Sequence, residues 1–285
     1  GFGLDYFESA SFAAADGAGG VYVGGGRCDL LCASVQAWFA RYDAAGNELW
    51  NRSLPAAADV SAAAPDLSGG VYAGGGTEGS FGAPNAGSQD SWVAHYDGDG
   101  TRSWVAPYGT TGFDGIVDLA PDGSGGVFGF GYSAGTMWVA RFEAAGSLAW
   151  SVQFAVNGSG DQSRAAAPDG SGGVYVGGET RFNNSYAAWF ARYDHAGNRL
   201  WLQQFDHLAS YVFAAAPAGA GGVYIGGQTI GELAGPSLGS WDAWLARYDG
   251  AGNRLWIRQF GTAGWDSVGA AATDGEGGVY LGGYA

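Results

Sequence analysis

The stretch WFARYDAAGNELW, Trp38 to Trp50, carries a Trp at each end and recurs along the chain. The other copies are WVAHYDGDGTRSW (92–104), WVARFEAAGSLAW (138–150), WFARYDHAGNRLW (189–201) and WLARYDGAGNRLW (244–256). Taken alone, a Trp pair around Arg41 and Asp43 could form a sugar platform or a cofactor clamp. Five copies at one spacing indicate a structural repeat instead.

A second element, GGVY or GGVF, occurs six times, and the whole pattern has a period of about fifty residues. Each period predicts four short strands, because aromatic and β-branched residues are punctuated by Gly, Asp and Asn. Strand A is an Ala-rich run, strand B the GGVY run, strand C the WxARYD run and strand D the LW run. Four strands at this period predict a blade of a β-propeller.

We therefore expect an all-β protein, a single β-propeller domain over residues 1–285 built from four-stranded antiparallel blades. The blades are expected at about 5–54, 59–108, 114–155, 161–206 and 210–261, with half a blade at 266–285. This is a six-bladed propeller whose sixth blade is only half encoded. The missing half leaves three alternatives: the blade continues in a longer chain, it is truly two-stranded, or another molecule completes it by β-augmentation. The predicted assembly edge is Val279, Tyr280, Leu281 and Tyr284.

The motif YVGG…WxARYDxxGNxLWxxxFG…GGVYVGG resembles the bacterial β-propeller repeats often labelled SBBP, and more distantly the PQQ-type repeat. The resemblance covers nearly the whole chain. It implies an extracellular, cell-surface or periplasmic bacterial protein, mostly without assigned activity in that family. The acidic and Arg residues that hold the cofactor in PQQ-type enzymes map onto no position of this sequence.

The amino-acid composition limits the classes of partner that we expect. The net charge is −15 and all twelve basic residues are Arg, which disfavours nucleic acid, since phosphate binding needs clustered positive charge. No apolar run reaches the roughly 18–20 residues that a membrane-spanning helix needs. Cys28 and Cys32 predict a local disulfide rather than free thiols or half of a metal site.

Loop lengths distinguish two faces of each predicted blade. The A–B and C–D turns have constant length, whereas the B–C and D–A connections vary, so the variable face is the better candidate for binding. Trp241 and Asp90 lie in its loops and are candidate partner or glycan contacts; for Trp241, core filling is the favoured alternative. Arg41 and its equivalents repeat in most blades, which indicates a scaffold role, pairing with a neighbouring carboxylate.

A carboxylate recurs at the start of the predicted strand A, at Glu8, Asp59, Asp114, Asp161 and Asp266. These side chains could form an acidic ring that holds a cation such as Ca²⁺. The favoured alternative is that each Asp caps its own turn. No further cofactor is indicated.

The sequence contains no HExxH, GxSxG, P-loop or GxGxxG motif, so we expect a protein that is not an enzyme. The predicted function is a non-catalytic extracellular interaction or assembly module that binds a protein partner or itself. The alternatives are a glycan-binding, lectin-like propeller and a metal- or cofactor-dependent enzyme that uses the acidic channel mouth.

Overall fold

The computed structural model describes residues 6–29, 35–158, 160–182, 185–205 and 209–285. The secondary-structure elements among these residues are all β-strands. The first three sheets comprise β1 (Tyr6–Ala15), β2 (Val21–Asp29), β3 (Val35–Tyr42) and β4 (Glu48–Ser53); β5 (Ala62–Pro65), β6 (Val71–Thr77), β7 (Asp90–Tyr96) and β8 (Arg102–Tyr108); and β9 (Asp114–Pro121), β10 (Val127–Ser133), β11 (Thr136–Phe142) and β12 (Leu148–Phe154).

The next two sheets comprise β13 (Gln162–Pro168), β14 (Val174–Phe182), β15 (Ser185–Tyr193) and β16 (Arg199–Gln204); and β17 (Ser210–Pro217), β18 (Val223–Thr229), β19 (Asp242–Tyr248) and β20 (Arg254–Phe260). Strands β21 (Ser267–Thr273) and β22 (Val279–Tyr284) form a two-stranded sheet. Each four-stranded sheet pairs consecutive antiparallel strands in the order A-B-C-D, so the predicted propeller-type fold is confirmed. We number these sheets blades 1 to 5 and call the last one the two-stranded sheet.

The chain divides into two compact units, Gly1–Ser151 and Val152–Ala285, with the boundary inside β12. In the first unit, Tyr22, Phe39 and Trp50 of blade 1 pack with Val71 and Trp92 of blade 2. The corresponding cluster between blades 4 and 5 in the second unit includes Tyr175, Phe190, Val223, Ile225 and Trp244. A fully buried aromatic side chain contributes about 2–3 kcal/mol, so these faces account for the aromatic content of the repeat.

The second glycine of the pair in strand B is required by close approach of the backbone of strand A. A Cβ atom on Gly178 would lie 2.0 Å from the carbonyl oxygen of Gln162, and one on Gly227 would lie 1.8 Å from that of Tyr211. Both carbonyls lie next to a β-bulge in strand A, where one residue of that strand is left unpaired. Only Gly fits at these positions, which explains the second Gly of the GG pair.

Candidate functional site

The A–B turn of most blades is organised by an Asp carboxylate. In blade 4, Oδ1 of Asp169 accepts the N–H groups of Ser171 and Gly173, both at 2.7 Å, and Oδ2 accepts Nε and Nη2 of Arg192 at 3.0 and 2.7 Å. Desolvation alone would raise the pKa of Asp169, but these hydrogen bonds outweigh it and the pKa is lowered. The same turn is built around Asp16, Asp66, Asp122 and Asp274.

The recurring basic residue of strand C therefore pairs with the turn Asp of its own blade. Arg41 donates to Asp16 at 2.8 Å in blade 1, and Arg141 donates to Asp122 at 2.8 Å in blade 3. In blade 2 the ring of His95 takes the place of the guanidinium. These contacts agree with a scaffold role, because both partners lie mostly out of solvent.

Blade 5 shows what happens when the turn Asp is absent. Ala218 stands at the Asp position, Ala220 adopts φ +47°, and the N–H of Gly222 donates to the carbonyl of Gly219 at 2.9 Å instead. Among the described residues, the hydrogen-bond acceptor of Arg247 is the carbonyl of Ala218, at 3.1 Å, and its buried Nε has no partner there. Without the carboxylate, both the turn conformation and the pairing of the Arg change.

The second Trp of the motif is part of the contact between neighbouring blades. Nη1 of Arg41 and Nε1 of Trp50 both donate to the carbonyl of Gly98 in blade 2, at 2.8 and 2.9 Å. The hydroxyl of Tyr22 donates to the carbonyl of Gly69 in the A–B turn of the same blade, at 2.6 Å. Burial raises the pKa of Tyr22 to about 12, so this hydroxyl keeps its proton. In blade 1 the second Trp is thus part of the contact with blade 2, and the first Trp of every complete blade is buried.

The carboxylates proposed as an acidic ring are mainly engaged in their own turns. Asp114 accepts the N–H of Thr110 at 2.7 Å, and Asp266 accepts that of Thr262 at 2.8 Å. Asp161 accepts the N–H of Val156 at 2.7 Å and a short hydrogen bond from the hydroxyl of Thr180. Among the residues that the structure describes, no group of three or more His, Cys, Asp or Glu could hold a metal ion. The oxygens of these three Asp residues already accept backbone donors, which agrees with turn capping, and the metal-site interpretation stays a prediction.

Two members of that set need separate mention. Asp59 lies at a cavity of about 480 Å³ between blades 1 and 2, where its Oδ1 accepts the N–H of Gly76 at 2.8 Å. Desolvation there raises the pKa of its carboxyl group, although the residue as a whole is exposed. Glu8 pairs with Arg27 in the β1–β2 register, and its side chain is outside the described part of the chain.

The predicted loop contacts have different outcomes. Asp90 is buried at the start of β7, where its Oδ2 accepts the N–H of Ala86 at 2.7 Å. It caps its own loop from a buried position, and its role as a partner contact stays a prediction. Trp241 is half-buried and stacks on Trp265, with ring centroids 6.1 Å apart. Cys32 lies outside the described residues, so the Cys28–Cys32 disulfide stays a prediction.

The outer edge of β22 is largely exposed. Tyr280 and Tyr284 are 70% and 78% exposed, and β22 pairs only with β21 among the described strands. Beside it lies an apolar groove of about 430 Å³ lined by residues that include Ala243, Phe260, Val268, Leu281 and Tyr284. Here the predicted edge residues meet Phe260, which the sequence analysis did not single out. Phe260 and Phe205 both lie four residues after the second Trp of their blades, and this shared position could have marked Phe260 in the sequence.

The fold and these sites define a β-propeller-type protein. Comparison with protein-family models gives no match, and neither does comparison with curated proteins. Among solved structures, the chain is similar to a protein of unknown function from Bacteroides caccae, with a TM-score of 0.56, 14% identity and coverage of 88% of this chain and 82% of that one.

A gluconolactonase from Xanthomonas campestris is similar over 96% of this chain and 82% of its own, with a TM-score of 0.53 and 14% identity. The acylaminoacyl peptidase of Pyrococcus horikoshii matches with a TM-score of 0.54 and 9% identity, over 96% of this chain but 42% of that one. At such identities these neighbours establish the fold alone. The described residues contain no helix that could span a membrane.

Proposed function

We propose that the chain is a protein-interaction module that accepts a β-hairpin from a second protein molecule at the outer edge of β22. Strand B pairs with strands A and C in the complete blades, as in blade 5, where Tyr224 faces Arg247 and Gly227 faces Trp244. The same positions of β22 are Tyr280 and Gly283. Their outward N–H and C=O groups have no strand partner in the described chain and are available for β-augmentation.

The groove beside β22 fits a Trp of the strand C type. In blades 2 and 4, the aromatic residue at or just after the end of strand D packs on the first Trp of the next blade. Tyr108 and Trp138 have ring centroids 4.5 Å apart, and Phe205 and Trp244 have centroids 5.2 Å apart. Phe260 holds this strand D position in blade 5 and is 41% exposed in the groove. A Trp opposite Gly283 would bury Phe260 as Trp244 buries Phe205.

The Asp turn of the two-stranded sheet suggests that the bound hairpin also carries an Arg. Oδ1 of Asp274 accepts the N–H groups of Glu276 and Gly278, as in the other turns, and these bonds lower its pKa. Its Oδ2 receives no basic side chain among the residues described, whereas blades 1 to 4 each supply an Arg or His there. An Arg opposite Tyr280 would reach this oxygen.

The observation that carries the proposal is that Phe260 and Asp274 together lack the Trp and the Arg that their counterparts contact. Both requirements are met by one segment, Trp-x-Ala-Arg-Tyr, followed by a turn and strand D. The interaction uses packing, backbone pairing and one ion pair, and it requires no catalytic group.

A synthetic hairpin, WLARYDGAGNRLWIRQF (Trp244–Phe260), tests the proposal when titrated into the 285-residue chain by calorimetry. We expect saturable binding, weakened about tenfold, or ~1.4 kcal/mol, when the peptide residue that corresponds to Arg247 is replaced by Ala. Asp274→Asn in the chain should weaken the wild-type peptide equally and add nothing for the Arg-to-Ala peptide.

Glu276→Gln is the matched control, because it removes one negative charge two residues away from Asp274 without touching the turn carboxylate. It should leave binding unchanged. Equal binding of a scrambled peptide would contradict the proposal. Dimers of the chain that the peptide does not dissociate would also contradict it, since they would indicate that β22 pairs with a second copy.

A further inference from the structure

A row of aromatic side chains crosses the loop side of blades 4 and 5. Tyr186 contacts Tyr211, Tyr211 contacts Trp241, and Trp241 stacks on Trp265, with ring centroids 5.3, 5.4 and 6.1 Å apart. All four rings are at least partly exposed, and Trp265 is 62% exposed. We infer that this aromatic row binds a neutral oligosaccharide, a site separate from the edge of β22.

The fold does not require the two Trp of the row. Trp241 and Trp265 form an isolated parallel β-bridge between a B–C loop and the following D–A loop. The same bridge joins Gln89 and Phe113 in the first unit, so this loop geometry forms without either Trp. Exposing most of an indole to water is unfavourable. A structural need for this bridge therefore does not explain the Trp pair.

Polar groups lie next to the rings. Gln228 is 8% exposed, and its Oε1 accepts Nε1 of Trp265 at 3.1 Å, while its amide nitrogen has no partner in the described part of the chain. Arg164 lies 5.8 Å from the ring centroid of Phe213, which stacks on Tyr211 of the row, and donates to the buried carboxylate of Glu179. Aromatic surfaces with a few fixed polar groups are the usual lining of ligand sites.

The geometry favours a sugar over other ligands. Trp241 and Trp265 are inclined by only 22°, so they present flat faces that suit the apolar C–H side of a pyranose ring. The free amide of Gln228 and the half-exposed guanidinium of Arg164 can donate to sugar hydroxyls. A net charge of −15 disfavours acidic glycans. A cage for a quaternary ammonium needs rings that enclose the cation, and here Arg164 already brings a positive charge.

The test is affinity electrophoresis of the chain through gels that contain neutral polysaccharides (β-glucan, xylan, galactomannan) or anionic alginate, followed by calorimetry with oligosaccharides of the retained type. We expect retardation by at least one neutral polysaccharide and none by alginate. Trp265→Ala should lower the association constant at least tenfold, and Gln228→Ala by a smaller factor.

Phe113→Ala is the matched control, because Phe113 occupies the bridge position of Trp265 in the first unit and is 48% exposed. It should change binding less than twofold. Circular dichroism and thermal unfolding verify that Trp265→Ala stays folded, and Trp265→Phe should retain part of the affinity. Absence of retardation by every neutral polysaccharide, undiminished binding by Trp265→Ala, or binding of choline in their place would overturn the inference. The hairpin peptide should not compete, because its site is the edge of β22.

Discussion

Replacing Ala218 by Asp should stabilise the second unit, because blade 5 has every other part of the turn found in the other blades. At present Ala220 adopts φ +47°, a left-handed conformation that costs about 1 kcal/mol for a residue with a Cβ atom. The Nε of Arg247 is buried and has no hydrogen-bond partner in the part of the chain that the structure describes. An Asp at 218 should accept the N–H groups of residues 220 and 222, return the turn to the usual form and pair with Arg247.

The size of the gain follows from opposing terms. Hydrogen bonds to a charged group contribute about 1.5–3 kcal/mol each, whereas desolvating a carboxylate costs several kcal/mol. When the left-handed conformation of Ala220 is also relieved, we expect a net increase of about 2 kcal/mol in the free energy of unfolding. For a chain of 285 residues, that corresponds to a rise of about 3 °C in the unfolding temperature.

Differential scanning calorimetry and urea unfolding of Ala218→Asp measure this change. Ala218→Asn is the control, since an amide oxygen can cap the turn without neutralising Arg247, and it should give about half the gain. In the Arg247→Met background, the benefit of Asp should shrink by about 0.5–3 kcal/mol. A destabilised Ala218→Asp variant, or a gain independent of Arg247, would refute the reasoning.

Two further predictions concern acid and oxidation. The pKa values of Asp16, Asp66, Asp122 and Asp169 lie below the ordinary 3.8, so their contribution to stability is complete above that pH and is lost as the pH falls through the lowered values. Urea unfolding at a series of pH values should show this decline in the free energy of unfolding. The decline should be shallower for Asp169→Asn. An unchanged pH dependence in that variant would contradict a stabilising role for the Asp169 carboxylate. Cys28 and Cys32 should resist alkylation in the unfolded, non-reduced chain and react after reduction, as mass spectrometry can measure. Alkylation without reductant would exclude the disulfide.

The repeat made the fold predictable. Trp38 and Trp50 recur at one spacing with Gly and Asp between them, so the C–D hairpins follow from local chemistry. The constant distance from each turn Asp to the next GGV segment likewise indicated the A–B hairpin. Both hairpins are determined by residues close together in sequence, so the fold remains predictable where one copy differs, as at Ala218.

The sites depended on contacts between distant residues. Arg41 was expected to meet a carboxylate, but only the pairing of strands A, B and C places it on Asp16, 25 positions earlier in the chain. The burial of Asp90 was not predicted, because burial of a strand's first residue leaves no mark in its own sequence. The aromatic row joins one strand C, one strand A and two loops, so no linear motif represents it. Trp265 was visible only as a Trp outside the repeat.

The contacts between successive blades have a consequence for how such a protein can evolve. Arg41, Trp50 and Tyr22 all donate to backbone carbonyls of the following blade, and Arg192, Trp201 and Tyr175 do the same to Gly250 and Gly221. A carbonyl is present whatever side chain the residue carries. A duplicated blade therefore finds its acceptors without compensating substitutions in its neighbour, and the loops are free to diverge.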